Sequence, residues 1–196
     1  RKCAYLALLR IESGDTNLPT ALETERQTLN DERDKKLLLD IVTGTVRWKR
    51  LIDYFVKCFS QRELSKIDVE IKIILRLSIY QLLYLNRVPA AAVVNDAVNL
   101  TRTIRKKSAD TFVNGVLRTL IRQRHDLPTP SRPTEKASYA DAENYLGITY
   151  SHPDWLVRRW IKRFGFESTE EWVKFNNEIP PVMLRVNRLK GTQLTI

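Results

Sequence analysis

The sequence predicts an all-α bundle followed by a small, mostly helical start of an α/β subdomain. Three observations predict it. Six glycines in 196 residues are few, which favours helices over a turn-rich β fold. Apolar residues recur at helical spacing through most of residues 1–127. Near the C-terminus, Asn176-Asn177-Glu178 runs into a Pro180-Pro181 break. Met183-Leu184-Arg185-Val186-Asn187 follows and alternates as a strand does.

Residues 1–12 are expected to be helical, with Leu6, Ala7 and Leu9 on one side. Gly14, Asp15, Asn17 and Pro19 make residues 13–30 a long loop or a short helix. One long helix is expected from about Asp31 to Cys58. Its stripe is Leu37, Ile41, Gly44, Trp48, Leu51 and Phe55, with Lys35, Arg47, Lys49, Arg50 and Lys57 opposite. Gly44 on that stripe costs about 1 kcal/mol against Ala, which predicts that another backbone comes close there.

Ser65-Lys66-Ile67-Asp68 has the form of a capping box. It predicts a helix to about Leu85 that is apolar nearly all round, and therefore the central helix of the bundle. Asn86-Arg87-Val88-Pro89 breaks the chain, with Pro89 suited to the first turn of the next helix. That helix carries Val93, Ala97, Leu100 and Ile104. A basic turn, Arg105-Lys106-Lys107-Ser108, leads to the last bundle helix, striped by Ala109, Phe112, Val113, Val116, Leu117, Leu120 and Ile121. Asn95 and Asn114 lie beside these stripes and are expected to hydrogen-bond between helices.

Pro128, Pro130 and Pro133 mark a linker with at most one short helix. Ser151-His152-Pro153-Asp154 reads as another capping box, opening a helix that Gly165 ends near Phe164. Ser168-Thr169-Glu170-Glu171 reads as the cap of a further helix to about Glu178. Trp155 and Trp160 are expected to pack in the core or between domains. The expected division is 1–127, a helical domain; 128–150, a linker; and 151–196, the opening helix–helix–strand of an α/β subdomain.

Composition excludes several functions. With 43% hydrophobic residues the chain can bury a core, but no apolar run approaches a membrane span. No signal-peptide pattern is present, so a cytoplasmic protein is expected. Cys3 and Cys58 read as reduced core thiols, and two histidines, His125 and His152, cannot assemble a zinc site at these spacings. The net charge is +10, and residues 1–127 hold 23 Lys/Arg against 15 Asp/Glu. An excess of this size favours a polyanionic partner, and ribosomal or messenger RNA is the natural one.

Two stretches carry a resemblance. Val88-Pro89-Ala90-Ala91-Ala92-Val93-Val94-Asn95-Asp96-Ala97-Val98 and Phe112-Val113-Asn114-Gly115-Val116-Leu117-Arg118 resemble the NusB-like RNA-binding domain. Their form is closest to the Sun/Fmu/RsmB family, bacterial 16S ribosomal RNA cytosine-C5 methyltransferases. Ser151-His152-Pro153, Trp155-Leu156-Val157 and the 176–187 element are similar to the next segment of that family. The resemblance implies a NusB-like bundle, then the subdomain that precedes an S-adenosylmethionine-binding domain. Family members also carry a glycine-rich cofactor loop and two cysteine motifs, Asp-Ala-Pro-Cys and Thr-Cys in type. This sequence has none of them, so neither Cys3 nor Cys58 inherits the nucleophile's role. In the family a thiolate adds to cytosine C6 to activate C5, on a base exposed from its stack. The chain alone is therefore expected to hold no cofactor and to transfer no methyl group. It reads as the front part of a longer protein that uses S-adenosylmethionine.

What remains for this chain is positioning 16S ribosomal RNA for a catalytic domain found elsewhere. The expected contacts are Arg1 and Lys2 at the start, Arg47, Lys49 and Arg50 on the long helix, and Arg105, Lys106 and Lys107 in the basic turn. Arg185 and Asn187 are a second group. For each basic residue the bland reading is a solvated charge, and for Arg185 and Asn187 a strand-end hydrogen bond. Two other functions compete: a stand-alone NusB-type antitermination factor, which binds RNA and catalyses nothing, and a helical protein-interaction module.

Overall fold

The computed structural model describes residues 1–134, 137–180 and 183. They form ten α-helices, with no strand among the described residues. The first seven are α1 (Lys2–Glu12), α2 (Leu18–Arg26), α3 (Glu32–Arg47), α4 (Lys49–Ser60), α5 (Val69–Tyr84), α6 (Ala90–Thr103) and α7 (Asp110–Arg122). After a proline-bearing stretch come α8 (Tyr139–Thr149), α9 (Asp154–Phe164) and α10 (Phe166–Asn177). The expected strand at 183–187 lies, but for Met183, outside the described residues.

Helix α5 is the centre of the bundle, as its all-round apolar sequence predicts. It packs against α1, α3, α4, α6 and α7. Ile71, Ile73, Ile74, Leu75, Leu77, Ile79 and Leu82 are all buried on it. Burying such side chains contributes roughly 1.5–3 kcal/mol each, the main term holding the bundle together.

The expected helix 31–58 is two helices. Trp48 ends α3 and begins α4 at φ −96°, ψ 14°. No glycine or proline causes the break. It lets α3 bury Leu38, Ile41 and Val42, while α4 turns Leu51, Ile52, Phe55 and Val56 onto a different part of the core. The Trp48 ring stacks on Tyr84, with centroids 5.1 Å apart.

Gly44 is indeed a point of close approach, but to a ring and not a backbone. A Cβ there would sit inside the Tyr80 side chain.

None of the three expected capping boxes forms. Ser65 lies in a single 3-10 turn, Leu64–Lys66, and Asp68 precedes α5 with no side-chain cap. Ser168 is inside α10, which starts at Phe166 once Gly165 reverses the chain at φ +80°. Ser151 caps a different helix, described below. The one true capping box among the described residues is Ser138 with Asp141 at the start of α8.

That helix belongs to a second, smaller core, in which Leu146 packs with Val157, Ile161 and Val173 of α9 and α10. Trp160 borders this core, but Trp155 is 63% exposed, contrary to its expected packing role. Asn114 bonds within its own helix, to Arg118, and not across to α6.

Candidate nucleic-acid interface

The basic residues divide by what faces them. Arg1 donates from Nε to Gln81 Oε1 at 2.9 Å and lies 3.3 Å from Asp96. Lys49 pairs with Glu12 at 3.6 Å. Lys106 pairs with Asp68 at 2.6 Å and lies 3.8 Å from Glu70. The Asp68 hydrogen bond also pushes the Lys106 pKa up. Each of these charges is met by a carboxylate of the fold.

Arg50 is committed more deeply. Its guanidinium donates from Nη1 to the His152 carbonyl at 2.6 Å and pairs through Nη2 with Asp154 at 2.5 Å. Its own backbone N–H donates to Ser151 Oγ at 2.9 Å. Ser151, at φ +58°, therefore supplies the cap that α4 lacks in its own sequence. Gly147 lies directly beneath the guanidinium, since a Cβ there would be 2.5 Å from Nη1. Arg50 is thus a peg between α4 and the α8–α9 connection.

Lys2, Arg47, Arg105 and Lys107 are exposed and have no ion-pair partner among the described residues. Arg105 is held at φ +60°, directly after α6. The expected contacts do not converge on one shared partner: α5 and α6 hold Arg1, α1 holds Lys49, the α8–α9 connection holds Arg50, and the start of α5 holds Lys106. Arg185 and Asn187 lie outside the described residues.

The sequence does not single out one further surface. Two open clefts of about 460 and 550 Å³ run between α6 and α7 and share Val94 and Asn95. Asn99, Asn114 and Arg118 are among their walls. The signal was present, because Asn95 and Asn114 stand beside the apolar stripes, but it read as helix-to-helix hydrogen bonding.

Among the described residues no glycine-rich turn leads from a strand into a helix. No His/Cys/Asp/Glu cluster suited to a metal occurs among them. No helix among them is long and apolar enough to cross a membrane.

A basic helical bundle, followed by a second helical unit pegged to it, defines the class. Residues 1–122 match the NusB family, and residues 152–195 match the ferredoxin-like domain of RsmF/B-like methyltransferases. The chain belongs to the NusB family. It is 32% identical over 193 residues to a probable ribosomal RNA small subunit methyltransferase B of Bacillus subtilis, covering 97% of this chain and 41% of the relative. A probable enzyme of the same name from Synechocystis is 30% identical over 199 residues, covering 100% and 42%. The ribosomal RNA small subunit methyltransferase B of Pseudomonas putida is 31% identical over 188 residues, covering 96% and 40%. The chain therefore spans about 40% of the length of these relatives.

Proposed function

We propose that this chain is the RNA-positioning N-terminal region of an S-adenosylmethionine-dependent methyltransferase that acts on cytosine C5 of 16S ribosomal RNA in the cytoplasm. The observation that carries the reading is the order of the two matches, a NusB-family bundle followed by a methyltransferase ferredoxin-like segment. A stand-alone antitermination factor has no need of the second. The chain contributes binding and orientation, while the cofactor, the nucleophilic cysteine and the methyl transfer belong to a catalytic domain outside it.

Among the basic residues, Lys2, Arg47, Arg105 and Lys107 are the stronger RNA contacts, since no carboxylate among the described residues competes for them. Arg1, Lys49, Arg50 and Lys106 serve the fold first. Arg185 and Asn187 remain proposed contacts of the second unit. We place the boundary between the units ahead of α8, because α8 shares its core with α9 and α10.

Methyl transfer tests the reading. The protein carrying this chain, given radiolabelled S-adenosylmethionine and 16S ribosomal RNA, is expected to label cytosine C5, and the 196-residue chain alone to label nothing. No labelling by the longer protein would overturn the enzymatic reading.

A further inference from the structure

We infer that the two adjoining clefts between α6 and α7 together form a binding site for unpaired RNA, with asparagine amides on base edges and Arg118 and Arg122 on phosphates. The inference rests on the proposed RNA-positioning reading and assigns it a place.

The first support is the state of the arginines. Arg118 donates from Nε to Asn114 Oδ1 at 2.9 Å, and Arg122 from Nη2 to Thr119 Oγ1 at 3.2 Å. Both are oriented by neutral groups, and neither has a carboxylate at ion-pair distance among the described residues. The fold thus fixes these cations without neutralising them. The carboxylate at the far end of the cleft, Asp110, is already occupied by Thr101 and by Arg102 at 2.7 Å. A planar guanidinium held in place and left unpaired is suited to a phosphate.

The second support is the amides. Asn95 and Asn99 are exposed on the α6 wall and make no side-chain hydrogen bond among the described residues. Asn114 keeps its NH2 donors after accepting from Arg118. Asparagine presents a donor and an acceptor side by side, the pattern that reads a base edge. In RNA the Watson–Crick edges are free only in unpaired segments, since a duplex uses them in base pairs and closes its major groove to side chains.

The third support is shape. Gly115 faces the cleft, and no atom lies within 4 Å of where its Cβ would be. A strand can therefore lie against the helix backbone. Among the described residues the apolar lining is Ala90, Ala91, Val94, Val98 and Ile121, a strip without the aromatic and methionine side chains that centre a protein interface. No aromatic side chain among the described residues lines the clefts, so recognition here runs through hydrogen bonds and not stacking.

The test is fluorescence-anisotropy titration of the 196-residue chain with labelled single-stranded fragments of 16S ribosomal RNA. R118A/R122A is expected to weaken binding about tenfold and to flatten the log–log salt dependence by about 0.7 for each phosphate no longer neutralised. Asn95→Ala with Asn99→Ala should reduce discrimination between fragments while leaving the salt slope unchanged. Gly115→Leu adds bulk to the cleft at a position where a Cβ meets no atom within 4 Å, removes no charge, and should also weaken binding about tenfold. R159A/K162A, a charge-matched change on exposed α9 residues, should stay within about twofold of the parent. Circular dichroism confirms that each variant is folded. Wild-type affinity in R118A/R122A and Gly115→Leu, or an equally weakened α9 control, would overturn the inference and leave the broader reading intact. If the unaltered chain binds none of the fragments, the broader reading falls and the inference with it.

Discussion

Arg50 donates from Nη1 to the carbonyl oxygen of His152 at 2.6 Å, and through this hydrogen bond the first helical unit holds the second. The same residue offers its backbone N–H to Ser151 Oγ and its second terminal nitrogen to Asp154. A surface ion pair alone is worth about 0–1 kcal/mol, but a guanidinium fixed by a backbone carbonyl between two packed helices is worth more. Arg50→Ala is expected to cost about 1–3 kcal/mol. Urea unfolding should show the lower stability, and limited proteolysis should cut the 128–138 stretch faster.

Gly147 lies under the same guanidinium. Gly147→Ala would dislodge Arg50 despite the better helix propensity of alanine. The double variant R50A/G147A should then be no less stable than R50A alone, because the peg is already gone. Additive destabilisation in a double-mutant cycle would show that Gly147 acts through some other neighbour.

Gly44→Ala sets two effects against each other. Alanine gains about 1 kcal/mol of helix propensity over glycine. Its Cβ enters the space of the Tyr80 ring, which stacks on Tyr84 at 5.2 Å and cannot simply swing away. Overpacking of this kind costs about 1–3 kcal/mol, so net destabilisation is expected. Tyr80→Leu in the same chain should recover part of it, with the melting temperature as the readout.

Acid should loosen both units. Burial opposes ionisation of Glu12, but Arg76 and Lys49 outweigh it and hold the carboxyl below the usual glutamate range. Burial likewise opposes ionisation of Glu170, and hydrogen bonds from Arg132 at 3.0 Å and Tyr145 at 2.9 Å outweigh it. A carboxyl with a depressed folded pKa stabilises above its unfolded pKa, about 4.3 for glutamate. That stability is lost as pH falls through the depressed value. Unfolding free energy should therefore be flat in these two groups above about pH 5 and fall below about pH 4. Glu170→Gln should cost about 1–2 kcal/mol at neutral pH, a figure discounted for the exposure of Arg132, and should shrink the acid slope.

Much of the bundle was legible because helical periodicity reports burial directly. Helix α5 is buried nearly all round, and its sequence says so. The break at Trp48 was not legible, because no Gly or Pro marks it. It arises from the tertiary demand that α3 and α4 bury different faces. The capping boxes misled for a related reason: a Ser-x-x-Asp pattern states only that a cap is available. Ser151 spends its hydroxyl on Arg50 of another helix, 101 positions away. Charge was the least legible feature. Arg50 and Lys106 look like any surface cation until Asp154 and Asp68 are seen facing them. Arg118 and Arg122 are no more legible, because sequence does not show which cations go unpaired.

Binding of the 196-residue chain to 16S ribosomal RNA fragments, measured across a salt series, tests the central claim most directly. Saturable binding is expected, weakening linearly in log–log form with a slope that reports several phosphate contacts. Absence of saturable binding at low salt would contradict an RNA-positioning role for this chain.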